Sequence, residues 1–121
     1  MGRDHRKLKA FQAADELVVA TFKETSNLPE DETHGLVQQM RTAAVAVASN
    51  IVNGCARPTM REYMHFLNVS FGALREVGYL IELSYKLEYL DEEKFERMND
   101  YYDEAAKLLA GLIRSYKENR A

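Results

Sequence analysis

The chain has 121 residues, 46% of them hydrophobic and 29% charged, with a formal net charge of −3 and a pI near 5.6. That length can bury one core without disulfide or metal staples, so a single domain spanning residues 1–121 is expected. The acidic balance excludes a long-range attraction of the whole molecule for phosphate backbones, and charged or amide side chains interrupt every apolar run before the ~18 residues of a spanning helix.

The single cysteine, Cys55, cannot form an internal disulfide, and Met1 to Lys9 is polar where a secretory signal needs an apolar run. A reducing, cytoplasmic setting is the expectation. Two prolines, Pro29 and Pro58, and six glycines leave few breaks between stretches of good helix formers, which predicts an all-α fold.

The first predicted helix runs from about Leu8 to Glu24, with Phe11, Ala14, Val18 and Phe22 on one stripe. Ser26, Asn27 and Pro29 end it. The second covers roughly Thr33 to Cys55 and puts Leu36, Met40, Ala43, Val47, Ile51 and Gly54 on one face, with many small residues that let a neighbouring helix approach. Thr59 to Glu62 reads as a capping box that opens a third helix, about Met60 to Glu88. Its seam, Tyr63, Leu67, Ser70, Leu74, Val77, Ile81 and Ser84, alternates four and three apart. Asp91 caps the fourth, which carries Phe95, Met98, Tyr102, Ala105, Leu109, Leu112 and Tyr116. Four amphipathic helices with short connections predict an antiparallel up-down-up-down four-helix bundle.

Little in this pattern points to chemistry. Glu62 and His65 form one Glu-x-x-His pair, but a di-metal bundle uses two such pairs, and Glu62 already has work at the cap. Cys55 sits near a helix C-terminus, where the helix dipole opposes thiolate formation. Tyr79, Tyr85, Tyr89, Tyr101 and Tyr102 are able to stack on bases, yet tyrosines on helix flanks more often pack. The expectation is a non-enzyme with no metal, cofactor, small-molecule substrate or membrane partner.

Charge distribution is more informative. In an up-down-up-down bundle one end collects Arg3, Arg6, Lys7, Lys9, Arg57, Arg61, Arg114, Lys117 and Arg120, opposed only by Asp4, Glu62 and Glu118. The other end, residues 22–36 and 80–100, carries eleven carboxylates against four cations. Acidic helix starts and basic helix ends are ordinary dipole complementation, but Arg3, Arg6, Lys7, Arg57 and Arg61 stand at or before helix starts or in loops, where the dipole does not favour cations. Arg3, Arg6, Lys7, Lys9, Arg57 and Arg61 are therefore the candidate nucleic-acid contacts.

The run Gly35 to Gly54, with Met40-Arg41, Ala43-Ala44-Val45 and Ser49-Asn50-Ile51 inside it, resembles the 23S ribosomal RNA intervening-sequence protein family. So do Leu8 to Ala14, Glu62 to Leu67, Gly72 to Glu76 and Lys86 to Leu90, so the resemblance spans nearly the whole chain. Two departures stand out: Ala48 where members often have proline, and Asn53-Gly54 where Glu-Gly is usual. The resemblance implies a four-helix bundle with no catalytic residues. It also implies kinship to the accessory variability proteins of diversity-generating retroelements, strongly basic homopentamers that bind nucleic acid and a reverse transcriptase.

Two functional expectations follow. One is an oligomeric accessory module that contacts RNA or a nucleoprotein through its basic end; the other is a structural or protein-interaction scaffold that binds no nucleic acid. The second and third helices carry two adjoining apolar rows each, which nominates Val37, Ala44, Ala48, Phe66, Val69, Ala73 and Leu80 as a self-association surface. A ring of five is implied by the resemblance alone.

Overall fold

A computed structural model describes residues 3–120, apart from the side chains of residues 32–34, 119 and 120. Among the described residues there are four α-helices and no strand: α1 (Lys9–Thr25), α2 (Gln38–Cys55), α3 (Met60–Lys86) and α4 (Glu92–Arg120). Each helix packs on its chain neighbours, α1 also packs on α4, and the α2–α3 pair makes the most extensive contact. All four contribute to one apolar core, with Leu17, Met40, Ile51, Leu67, Leu74, Ile81, Met98 and Leu109 almost wholly buried.

The helix boundaries have local causes. Thr59 opens α3 by accepting the N–H of Glu62 at 3.2 Å, and its own hydroxyl donates to the Glu62 carboxylate at 2.8 Å. The glutamate thus closes the box on the cap's side chain rather than on its backbone. Asp91 caps α4 by accepting the Lys94 N–H at 2.8 Å. Helix α3 ends two residues earlier than the periodicity predicts. Glu88 takes a left-handed φ of 65°, and the N–H groups of Glu88 and Tyr89 close back on the carbonyls of Tyr85 and Ser84, both at 2.9 Å. That is a Schellman stop with a glutamate where glycine is favoured. Before α2, Thr33–Val37 form one wider π-type turn, so the α-helical run starts at Gln38 rather than Thr33.

Helix α1 is rotated relative to the stripe read from its large residues. Ala10, Ala13, Ala14, Leu17, Ala20 and Thr21 are buried, whereas Phe11 and Val18 are only half-buried and Phe22 is exposed. Small residues inside let α1 lie close to its neighbours. Arg41 of α2 accounts for the outward Phe22: its guanidinium lies 4.8 Å from that ring. It also donates to the Thr25 hydroxyl at 2.9 Å and to the Phe22 carbonyl at 3.3 Å. One side chain thereby covers an aromatic face and closes the end of α1.

The α2–α3 seam is the most extensive, and it leaves little room at Gly54. A β-carbon at Gly54 would stand 3.0 Å from Cβ of Phe66 and 3.3 Å from the Tyr63 ring. The buried Ser70 hydroxyl donates to the Val47 carbonyl across the seam at 2.6 Å. Gly54→Ala is expected to lower stability by about 1–3 kcal/mol, because Phe66 Cβ is fixed to its backbone and cannot yield. Glu88→Gly is expected to raise it by about 1 kcal/mol by removing the left-handed strain. Urea denaturation of the two variants checks both signs.

Candidate functional site

Residues 3–9 reach the basic end through a short strap. Asp4 caps a single 3-10 turn, His5–Lys7, by accepting the Arg6 N–H at 3.1 Å. The His5 ring packs edge-on against Phe11 at 4.7 Å, and Gln12 Nε2 donates to the Arg6 carbonyl at 2.9 Å. The Arg3 N–H donates to the Cys55 carbonyl at 3.0 Å. These contacts pin the strap across the end of α2 and bring Arg3 beside the loop that carries Arg57.

The six cations are not equivalent there. Arg3 lays its guanidinium 4.0 Å from the centroid of the buried Tyr63 ring. Arg57 is half-buried with its guanidinium 5.8 Å from the Phe66 ring, and its Nε is shielded with no hydrogen-bond partner among the described residues. Arg6 is occupied: Nε and Nη2 fork onto the two Asp4 oxygens at 3.0 and 3.4 Å, which holds the Asp4 carboxyl below its usual range. Lys7, Lys9 and Arg61 are exposed and hold no ion pair among the described residues. The structure therefore brings Arg3 and Arg57 together, leaves Arg61 outward on the first turn of α3, and sets Arg6 against Asp4.

One cation was missed. Lys107 shares a shallow groove of about 380 Å³ between α1 and α4 with Lys9 and Arg114. Its spacing of seven residues from Arg114, two helical turns, was the available signal. Arg114 and Lys117 also line a groove with Asn68, Phe71 and Ile113. The side chain of Arg120, also assigned to this end, lies outside the described residues.

The remaining candidates divide by burial. Glu62 is held by Thr59, His65 is exposed with its ring edge-on to Phe66, and among the described residues no three histidine, cysteine or carboxylate groups converge as a metal site would need. His34 is a residue whose side chain is not described. Cys55 is buried and its thiol is pushed up by that burial, against a smaller pull from Arg3. Val37, Ala44 and Leu80, nominated for self-association, are buried within the single chain and are corrected here. Helix α2 contacts α1 as well as α3, so two of its adjoining apolar rows serve the core. Ala48, Phe66 and Ala73 are half-buried and Val69 is 43% exposed, joined by Val45 at 42%.

Residues 6–111 match the 23S rRNA-intervening sequence protein family. The chain belongs to that family. A solved structure from Bacteroides thetaiotaomicron, described as a protein with unknown function from the S23 ribosomal protein family, is similar at a TM-score of 0.79 and 21% identity. The match covers 87% of this chain and 95% of that one, and at this identity it speaks to the fold alone. No curated protein matches the chain. Among the described residues of this 23S rRNA-intervening sequence family member, no helix is long and apolar enough to cross a membrane.

Tyr63 gives the basic end a measurable signature. Its hydroxyl is buried without a partner at hydrogen-bond geometry among the described residues, its ring meets Tyr116 edge-on at 5.2 Å, and burial first, then the nearby Tyr116 phenol, raises its pKa above the ordinary value. A raised pKa means that the folded state keeps the proton longer than the unfolded state. Its contribution is therefore complete below the ordinary tyrosine value of about 10 and is lost as pH rises beyond it. Tyr63→Phe is expected to fold at neutral pH without loss and to show a shallower alkaline decline. Thermal melts between neutral and alkaline pH measure this; an equally steep decline in both proteins contradicts it.

Proposed function

We propose that the chain is a non-enzymatic accessory module that contacts RNA or a nucleoprotein through its basic end. The carrying observation is the convergence of Arg3 and Arg57 beside the end of α2, with no ion-pair partner for either among the described residues. The family's name, which refers to 23S rRNA, is consistent with this reading. An up-down-up-down path supports it by gathering these groups at one end. Three contacts favour that path: Glu24 of α1 with Arg97 near the start of α4 at 2.9 Å, Ser84 of α3 with Met40 of α2, and Tyr63 of α3 with Tyr116 of α4.

Self-association belongs to the same reading. The outward apolar residues Val45 and Val69, beside Ala48, Phe66 and Ala73 on the two most closely packed helices, favour a side-by-side contact between copies. The resemblance to the accessory proteins of diversity-generating retroelements suggests five. A ring would present several weakly basic ends together, and avidity would offset the overall charge of −3. Such a protein would act in the cytoplasm.

Titration with structured RNA fragments is expected to show binding at low salt that weakens as salt rises. Combined Arg57→Glu and Arg61→Glu should weaken it by at least about tenfold, whereas Glu92→Gln at the far end should not. Absence of low-salt binding would overturn the RNA reading in favour of a protein scaffold. Light scattering is expected to give a multiple of 13.9 kDa that falls toward the monomer in a Val45→Glu, Val69→Glu variant; a monomeric parent protein removes the ring.

A further inference from the structure

We infer that the groove between α3 and α4 docks the cationic side chain of a protein partner, an arginine or lysine in a basic segment. The groove measures about 420 Å³ and is lined by Gly78, Tyr79 and Glu82 of α3 and by Phe95, Tyr102 and Asp103 of α4. It lies apart from the basic end and from the α2–α3 apolar face.

Its aromatic lining is firmly set. The Tyr102 ring rests on the bare backbone of Gly78, where a β-carbon would stand 2.7 Å from two ring carbons. Phe95 is stacked on Tyr85 at 4.0 Å with 12° between the planes. Tyr79, 59% exposed, forms the rim. Phenol faces beside carboxylates are the surroundings that stabilise a guanidinium or ammonium group. Asp103 has no ion-pair partner among the described residues, and Glu82 holds only Lys86 at 3.5 Å, with both side chains more than half exposed. That surface pair exchanges readily for another cation. The same carboxylates repel phosphate, which argues against these tyrosines as a base-stacking platform.

Arg75 lines the groove one helical turn before Tyr79 and opposes positive charge there, so the ligand's cation sits toward Glu82. The adjoining stretch, residues 80–100, with seven carboxylates against three cations, supplies the long-range attraction for a basic segment. A partner fits better than a second copy. Of this chain's own arginines at the basic end, Arg3, Arg6 and Arg57 are braced on Tyr63, Asp4 and Phe66 within one copy and do not project as a free segment would. Arg61 is exposed and unpaired among the described residues, and the oligomer mass separates a second copy from a partner.

The test is fluorescence anisotropy of the full chain with a labelled Arg-Gly repeat peptide, against a peptide with glutamine in place of arginine. Saturable binding of the arginine peptide alone is expected. Tyr79→Ala and Glu82→Gln should each weaken it by about three- to fivefold, while Glu92→Gln, the same charge change outside the groove, should leave it nearly unchanged. Tyr79 is exposed, so its replacement leaves the core intact, and circular dichroism verifies this. No binding, equal losses across the three variants, or no effect of Tyr79→Ala would each overturn the proposal. So would a fall in oligomer mass on Tyr79→Ala without peptide binding, which assigns the groove to a second copy.

Discussion

The close approach of α2 to α3 governs much of what the molecule presents. With only hydrogen on the α-carbon of Gly54, Phe66 and Tyr63 press directly on the last turn of α2, and Ser70 hydrogen-bonds across the seam to Val47. Serine serves this seam well because it is small enough for the helices to meet and still satisfies its own hydroxyl. Further along, the Ser84 hydroxyl is satisfied by the Leu80 carbonyl at 2.8 Å and lies against Met40 Sδ at 3.3 Å. A bulkier residue at any of these positions would push the helices apart and displace the turn between them.

That turn carries Arg57 and holds the backbone of Arg3, so helix packing and surface charge are coupled. The Cys55 carbonyl that receives the Arg3 N–H belongs to the end of α2, and the ring beneath the Arg3 guanidinium belongs to Tyr63 on the first turn of α3. Arg3 is thereby positioned by two helices at once. The strap also illustrates why a count of charges overstates a basic surface: Arg6 turns onto Asp4, and Glu62 sits in the first turn of α3, where it offsets the positive dipole end that would otherwise favour an anion. What the end offers is a few unpaired cations on a braced scaffold, whose attraction falls off within about 10 Å at moderate salt.

The strap that carries Arg3 and the α3–α4 groove differ in kind as well as in sign. Cations at the basic end are set on aromatic faces within the chain, Arg3 on Tyr63 and Arg57 near Phe66. At the α3–α4 groove, aromatic faces and carboxylates lie together with Arg75 at one side, and no cation is set on those rings among the described residues. One molecule thus carries both cations set on aromatic faces within the chain and a groove with the chemistry to accept another.

Helix content, the α2 and α3 seams and the caps at Thr59 and Asp91 were legible in the sequence. They rest on local periodicity and on side chains that act within one turn, and every residue of the α3 seam is buried. The face of α1 was not legible. Alanine carries little hydrophobic weight, so Phe11, Val18 and Phe22 outweighed Ala10, Ala13 and Ala20 in the pattern, although the alanines allow the close packing. Val37, Ala44 and Leu80 looked like surplus apolar surface because a sequence cannot say how many neighbours a helix has; α2, touching both α1 and α3, needs a wider stripe. The basic residues themselves were visible, but Arg6 on Asp4, Arg3 on Tyr63 and Lys107 beside Lys9 were not. The sequence by itself determined which segments are helical, where they stop and which charges exist. Only the tertiary structure decided which face of α1 is buried and which cations remain unpaired, because both depend on contacts between residues far apart in the chain.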